Sequence, residues 1–349
     1  MKKYATLKDV AALANSSLAS VSAVLSESDK RYVSPELEKK ILDAAKQLNY
    51  VKSYMASGLR GVSQKVIALL LPQFDNPFFT RLAVSVERAA NENDYIIFVC
   101  DTKDEPKKER RIIETVIGHR VDGIILAPAL GGAGSTTLIR KCNIPYIVVD
   151  RQLEGIDEPY DYVAIDNYQA GALSARKFIA HGHRRFGYVG WKSDISVIRQ
   201  RQQGFMDTIS ANSSHFVYRL SEDLGHAQGL ACTKELFESD KHLTAVLYGH
   251  HSFTPGGISF FRDMGIDIPR DVSVIQIGSP DWSSIVQPRI TCVYQPIEEI
   301  GAIAAQMLFE KINGSRNIIE TRLLQSSLIE GETVADVPGL QQKRKEKAV

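Results

Sequence analysis

The chain has 349 residues, of which 44 % are hydrophobic and 24 % are charged, and its net charge at pH 7 is +1. This composition is typical of a globular protein rather than a disordered or fibrous one, and the length favours two or more domains. The charge is unevenly distributed, because residues 1–61 contain ten Lys or Arg against six Asp or Glu. A basic N-terminal segment before a mildly acidic remainder suits a nucleic-acid-binding module attached to another domain.

Membrane insertion, export and metal binding are not expected from this sequence. No apolar run approaches the ~20 residues that span a bilayer, and the N-terminus lacks the apolar segment of a signal peptide. Cys100, Cys142, Cys232 and Cys292 are far apart and form no Cys-x-x-Cys pair, which is typical of reduced core cysteines. We therefore expect a cytoplasmic protein with no cofactor, no metal site and no membrane partner.

The N-terminal segment has the pattern of three short helices. Thr6 and Asp9 can form a capping box at the start of the first helix, and Asn15 can adopt the conformation of a tight turn. Ser17 can cap a second short helix, and Ser34, followed by proline, can cap a third. This arrangement predicts a helix-turn-helix, whose second helix enters the DNA major groove. The alternative is a helical cap on a larger domain, without a role in nucleic-acid binding.

The remainder of the chain alternates apolar runs with amphipathic helical patterns. The apolar runs, which we expect to be buried strands, are 65–71, 95–100, 123–127 and 144–149 in a first block and 185–189, 245–248 and 272–277 in a second. Such strands alternating with helices predict parallel sheets covered on both faces, here as two doubly wound α/β subdomains. Because ligands bind beyond the carboxyl ends of such strands, the cleft between the two blocks is the expected pocket.

Short motifs at both ends of this organisation occur together in one known family. In the N-terminal segment they are Thr6-x-x-Asp9-Val10-Ala11, Ser20-Val21-Ser22, Val24-Leu25, Val33-Ser34, Asn49-Tyr50 and Ala56-x-x-Leu59. In the body they include Asp75-Asn76-Pro77-Phe78-Phe79, Asp150-Arg151, Asp166-Asn167, Arg201-x-x-Gly204-Phe205 and Pro288-x-Ile290-Thr291. With these motifs the chain resembles the LacI/GalR family of bacterial transcription regulators, whose body has the periplasmic-binding-protein fold.

The resemblance implies a domain organisation and a function. The implied domains are a helix-turn-helix domain (1–50), a hinge helix (51–61), a two-lobed effector-binding and dimerisation domain (62–333) and a basic, disordered tail (334–349). Chain crossings between the lobes are expected near 162–164 and 288–293. The implied protein is a homodimeric repressor of carbohydrate genes that binds a palindromic operator. A solute-binding protein or an enzyme on the same fold would leave the N-terminal segment unexplained.

The family's DNA contacts can be carried onto this sequence position by position. The implied DNA-binding residues are Thr6, Ser16, Ser17, Leu18, Ala19, Ser20, Ser22, Ala23, Ser26, Tyr50, Ala56 and Leu59. Leu18, Ala19 and Ala23 stand where relatives commonly carry large polar readers of base edges. Operator reading is therefore expected to depend on serine hydroxyls, on contacts with thymine methyl groups and on DNA shape. The alternative is a head that has lost tight operator specificity.

The hinge is expected to act in the minor groove. A segment as short as 51–61 is not a stable helix alone in water. Paired with a second copy on DNA it can fold, and Leu59 would then act as an apolar wedge that kinks the duplex, with Ala56 allowing close helix contact.

The effector site departs from the family pattern. The implied contacts are Phe74, Asp150, Arg201, His250 and Gly278, with apolar surface from Phe79 and Trp282. His250-His251 stands where the family has Asn-Asp, and Gly278-Ser279 stands where it has a pair of acids. The loss of acids and gain of imidazoles predicts a more positive cleft, so we hypothesise an anionic carbohydrate effector. The alternative is a degenerate pocket with regulation by a protein partner.

Overall fold

A computed structural model describes residues 5–25, 33–51 and 63–337 of the chain. The chain divides into two compact units, residues 1–64 and 65–349, and each is described by itself. We call the described part of the first unit the head and that of the second unit the body. None of the described helices is both long and apolar enough to cross a bilayer.

The head consists of α1 (Leu7–Leu13), α2 (Leu18–Leu25) and α3 (Pro35–Gln47). The expected caps are formed: Thr6 and Asp9 make a capping box, and Ser34 caps α3 ahead of its proline. Asn15 has a φ of 45°, the left-handed conformation that the turn between α1 and α2 requires. The three helices share one apolar cluster, formed by Val10, Ala11, Ala14, Val21, Ile41, Ala44 and Ala45.

The body alternates strands and helices along the chain. Its first half contains β1 (Val66–Leu71), α4 (Pro77–Glu92), β2 (Ile96–Asp101), α5 (Pro106–Gly118), β3 (Gly123–Leu126), α6 (Ala133–Lys141), β4 (Tyr146–Val149), β5 (Tyr162–Ile165) and α7 (Asn167–Ala180). Its second half contains β6 (Arg185–Trp191), α8 (Ser196–Ala211), β7 (His215–Ser221), α9 (His226–Ser239), β8 (Ala245–Tyr248), α10 (Thr254–Asp263), β9 (Ser273–Ile277), β10 (Thr291–Tyr294), α11 (Ile297–Ile312), β11 (Thr321–Leu324) and β12 (Ser327–Ile329).

These strands form two six-stranded sheets. The first, in the order β11-β5-β4-β3-β1-β2, is parallel throughout, and with α4, α5, α6 and α11 it makes the N-lobe. The second, in the order β12-β10-β9-β8-β6-β7, makes the C-lobe with α7 to α10 and contains one antiparallel strand, β12. The body is therefore the pair of doubly wound subdomains that the sequence predicts.

One predicted buried strand is not buried. β2 lies at the edge of the N-lobe sheet, where it pairs only with β1. Ile96, Phe98 and Val99 are exposed over 66 %, 41 % and 39 % of their surfaces. An apolar run indicates burial only where something covers it, and within one body nothing covers this edge.

The chain passes between the lobes three times rather than the expected two. The first passage lies at Asp166, between β5 and α7, and the second lies at residues 295–296, between β10 and α11. Both follow the predicted positions by a few residues, because strands β5 and β10 continue to residues 165 and 294. A third passage, at residues 325–326, joins β11 to β12.

The C-lobe continues beyond the predicted end of the body at residue 333. The backbone N–H of Ala335 donates to Oγ of Ser273 at 3.0 Å, and the carbonyl of Ala335 lies 3.1 Å from Nε2 of His183. The N–H of Val337 donates to the carbonyl of His181 at 3.0 Å. Residues 334–337 are thus hydrogen bonded to the lobe, and residues 338–349 of the predicted tail lie outside the described range.

Candidate functional site

The start of α2 presents exposed side chains among the predicted DNA-binding residues. Leu18 is 46 % exposed, and Ala19 beside it is exposed as well. The hydroxyl of Ser17 accepts the backbone N–H of Ser20 at 3.0 Å and lies 2.9 Å from the Ser20 hydroxyl. Ser17 therefore caps the helix, as expected, while an apolar and a small side chain stand next to it on the surface.

Other predicted DNA-binding residues serve the head's own structure. Ala23 is only 8 % exposed, which corrects the expectation that it is presented to DNA, since burial leaves little of its methyl group accessible. The hydroxyl of Ser16 is buried without a partner among the described residues. Thr6 is engaged in the capping box, and Tyr50 packs against the apolar cluster. Ser22 is half-buried.

Three predicted DNA-binding residues, Ser26, Ala56 and Leu59, lie outside the described range, as does most of the predicted hinge. Their assigned roles remain predictions.

The cleft between the two lobes of the body is built from residues that follow strands. Asp150 and Arg151 come directly after β4, His250 and His251 follow β8, and Gln295 follows β10. The carboxyl ends of parallel strands meet at one edge of each sheet, so these side chains converge where the two lobes face each other.

A small cavity of about 50 Å³ lies at this convergence. Its polar lining residues are Gln73, Asn76, Asp150, Arg151, Arg201, His250, His251 and Gln295, and Phe79 and Trp191 add aromatic surface. Three of the five expected effector contacts are therefore brought together. Sequence reasoning missed Gln73, Asn76, Trp191 and Gln295, although their positions just after strands or at strand ends were a usable signal.

Phe74 and Gly278, the other two expected contacts, do not line this cavity. Phe74 is 44 % exposed, because Asn76 caps α4 and turns Phe78 and Phe79 inward in its place. Gly278 borders a neighbouring cavity instead. Trp282, expected to supply apolar surface, is replaced in the lining by the tryptophan at the end of β6.

Arg201 is buried and held in a fixed direction. Its Nε donates to Oδ1 of Asn167 at 2.8 Å, and its Nη1 reaches the carbonyl of Gly249 at 3.4 Å. Burial lowers the pKa of the guanidinium, and the Asp150 carboxylate opposes this effect. An arginine remains charged under such conditions, so a positive charge lies inside the cleft.

Close packing of two helices fixes the position of Arg201. A Cβ atom at Gly171 of α7 would lie 2.0 Å from the carbonyl oxygen of Arg201, and one at Gly204 of α8 would lie 2.0 Å from that of Tyr168. Only glycine permits this approach at both positions. The contact places Asn167, at the start of α7, within hydrogen-bonding distance of the guanidinium.

Asp150 supplies a buried carboxylate to the same cavity. The residue is 6 % exposed and has a φ of 60°, and its backbone carbonyl accepts the hydroxyl of Tyr162 at 2.6 Å. Burial raises the pKa of the carboxyl, and the charges of Arg151 and Arg201 oppose this effect. Among the described residues no ion pair within 4.0 Å involves Asp150, whereas Arg151 pairs with Asp104 at 2.6 Å.

The two adjacent imidazoles are stacked and uncharged. The ring centroids of His250 and His251 are 4.4 Å apart. Burial, together with the charge of Arg201, lowers the pKa of His251 to about 4 and that of His250 well below its ordinary value. At neutral pH the rings carry no charge, which corrects the expectation that they make the cleft more positive. They act as polar, aromatic surface.

We expect the buried imidazoles to make the body less stable in acid. The unfolded pKa of His251 is near 6.5 and its folded pKa is about 4, so the unfolded state takes up its proton first as the pH falls. The contribution of His251 to the free energy of unfolding therefore falls as the pH drops below 6.5, by about 2 kcal/mol between pH 7 and 5. Glu109, with a pKa raised to about 7 by burial, changes stability in the opposite direction.

The measurement therefore compares two proteins rather than two pH values alone. The chain has two tryptophans, Trp191 and Trp282, both in the body, so urea unfolding followed by tryptophan fluorescence reports on the body. Wild type should lose about 2 kcal/mol more than His251→Gln between pH 7 and 5. His119→Gln, at an exposed position, should behave as wild type. Equal losses in wild type and His251→Gln would contradict the assignment.

Two family models match the sequence. Residues 6–53 match "Bacterial regulatory proteins, lacI family", and residues 175–334 match "Periplasmic binding protein-like domain". The chain is 28 % identical over 312 residues to the HTH-type transcriptional repressor PurR of Actinobacillus pleuropneumoniae serotype 3, covering 88 % of this chain and 91 % of that protein. It is 28 % identical over 307 residues to the ribose operon repressor of Halalkalibacterium halodurans, covering 88 % and 90 %.

Solved structures show the same fold. The lac repressor dimer bound to operator and the anti-inducer ONPF matches with a TM-score of 0.82 at 19 % identity, covering 95 % of this chain and all of that one. The sequence relatives are transcriptional repressors and not enzymes. With a helix-turn-helix head and a two-lobed body that each match the corresponding domain, this chain is a DNA-binding transcriptional repressor of the LacI family.

Proposed function

We propose that the chain represses carbohydrate-metabolism genes in the cytoplasm under the control of a small anionic sugar derivative bound in the interlobe cleft. The observation that carries the proposal is the pair of buried charges, Arg201 and Asp150, in one cavity without a direct ion pair between them. A buried charge without a close partner is costly. A ligand that bonds to both groups would compensate for that cost.

The lining favours a compact, polyhydroxylated ligand. Carboxamides, a carboxylate and a guanidinium offer donors and acceptors in several directions, and Phe79 and Trp191 offer flat apolar surface. Because the imidazoles are neutral and Arg151 is paired with Asp104, the preference for an anion rests on Arg201. One relative is a ribose operon repressor, which agrees with a sugar-derived effector.

Effector binding requires movement of the lobes. The cavity of about 50 Å³ is smaller than the roughly 300–1,000 Å³ of typical ligand sites. The lobes must therefore separate to admit a sugar and close around it. We propose that this movement changes the affinity of the head for DNA, through unequal affinity of the effector for the two states.

The repressor is proposed to bind DNA as a homodimer with α2 in the major groove. A two-fold dimer matches a palindromic operator, since one head reads half a site. The exposed apolar residues of edge strand β2, Ile96, Phe98 and Val99, with Val84 of α4 at 59 % exposure, are suited to contact a second copy. The predicted hinge, with Leu59, would make further contacts with the DNA in the minor groove.

We expect Leu18→Gln to weaken specific operator binding about tenfold or more, because it replaces an exposed apolar contact with the thymine methyl groups. The measurement is a mobility-shift titration with the DNA upstream of the chain's own gene, with scrambled DNA alongside. Sedimentation of the complex should show two chains per duplex.

Leu42→Gln provides the matched control, because Leu42 is 48 % exposed but lies on α3. It should leave operator affinity unchanged. Equal affinity of wild type for operator and scrambled DNA would refute specific binding, and one chain per duplex would refute the dimer.

We expect acid-bearing sugars, and not their neutral parents, to stabilise the body. Binding at 100 times Kd adds about 2.7 kcal/mol to the unfolding free energy, which a thermal-shift screen of neutral, phosphorylated and oxidised sugars detects. Arg201→Lys should reduce the effect, because lysine lacks the planar fork, whereas Arg176→Lys at an exposed position of α7 should not.

Two outcomes of the screen would change the proposal. Stabilisation by neutral sugars only would refute an anionic effector. Stabilisation by none of them, with operator affinity altered by a protein partner, would favour the alternative of a degenerate pocket. The small volume of the cavity agrees with that alternative.

A further inference from the structure

We propose that a second cavity beside the main one is a subsite for the acid group of the effector, a phosphate monoester or a carboxylate. This second cavity is bordered by Arg81, His251, Gly278 and Gln295 and by the first residues of α4 and α11. The inference rests on the proposed function, because it assigns one part of the same ligand to a separate compartment.

Gln295 is the observation that points to a ligand. It is 5 % exposed, and its Nε2 has no hydrogen-bond partner among the described residues. A buried donor left unpaired is costly, because it has lost its hydrogen bonds to water without replacing them. The residue borders both cavities, so an oxygen atom placed at their junction would accept this hydrogen bond.

His251 and Gly278 determine how the two cavities are connected. The imidazole of His251 borders both cavities, and no hydrogen bond to its ring is present in the part of the chain that the structure describes. Gly278 has a φ of +98°, which other residues rarely adopt, and a Cβ there would lie 3.1 Å from Nδ1 of His251. Because glycine has no side chain, the imidazole of His251 can occupy its position in the lining of both cavities.

The charges around the second cavity favour an anion. Arg81 borders it, donating to the carbonyl of Ser279 at 3.4 Å and pairing with Asp281. The carboxylate of Asp281 is 94 % exposed and can turn into solvent when a ligand takes the guanidinium. The helices α4 and α11 both begin at the cavity, at Pro77 and Ile297, so their positive dipole ends add to the field.

The size of the second cavity restricts what enters it. Its volume is about 20 Å³, which suits one water-sized group, since a single water needs roughly 10–15 Å³. One oxygen atom of an acid group fits this space, whereas a sugar ring does not. The ring would therefore remain in the main cavity with Asp150 and Arg201, and the acid oxygens would reach Gln295 and Arg81.

The test is calorimetric titration of the full chain with inorganic phosphate, glucose, glucose 6-phosphate and gluconate. We compare wild type with Gln295→Met and Arg81→Met, which remove a donor while keeping much of the side-chain volume. Affinity for the acid-bearing probes should fall at least tenfold in both variants. In Arg81→Met, whose residue borders only the second cavity, any glucose affinity should stay within twofold. Arg88→Met, at an exposed position of the same helix, should match wild type.

The outcomes separate the subsite from the effector proposal. If the acid-bearing probes bind wild type and Arg81→Met with equal affinity, the subsite is overturned. If their affinity still depends on Arg201, the proposed function remains supported. An equal loss for glucose and for the acid-bearing probes in Arg81→Met would also overturn the subsite, since that variant would then act on the whole cleft. Absence of binding by every acid-bearing probe would overturn both. If Gln295→Met fails to fold, Arg81→Met alone decides.

Discussion

The burial of Arg201 and Asp150 in one cavity is the constraint on which the rest of the structure depends. The two groups form no ion pair at contact distance, and burial disfavours the charged form of each, which the charge of the other opposes. Asn167 directs the guanidinium, and glycine contacts between α7 and α8 bring those two elements together. A protein that needed only stability would do as well with apolar residues here. The arrangement supports the proposed binding of a polar ligand between the lobes.

The same geometry couples the site to movement. Arg201 belongs to the C-lobe and Asp150 follows a strand of the N-lobe, so a ligand that contacts both stabilises closure. Outside the cavity the lobes are joined by exposed ion pairs, such as Arg199 with Glu154 at 3.1 Å. Pairs of this kind contribute about 0–1 kcal/mol each. A small ligand that binds the closed lobes more tightly than the open lobes can therefore shift the equilibrium between the two states.

The sequence predicted those features that depend on local chemistry. The caps of α1 and α3 and the turn at Asn15 need only neighbouring residues, and most strands of the two sheets are continuous apolar runs. The half-exposed edge strand β7 and the short strands β11 and β12 have no such signal and were not predicted. The buried strands β5 and β10 were expected as crossings between the lobes rather than as strands. The burial of Ala23 and the neutral state of His251 depend on residues distant in sequence. For that reason the composition of the cleft was predicted better than its charge.

The central claim is that the cleft and the head are thermodynamically linked. The most direct test is to measure the affinity of the full chain for the most stabilising compound of the sugar screen, with and without saturating operator DNA, and to measure operator affinity with and without that compound. Linkage requires the two ratios to be equal, and we expect both to differ from one by at least fivefold. Compound and operator affinities that are independent of each other would contradict the account.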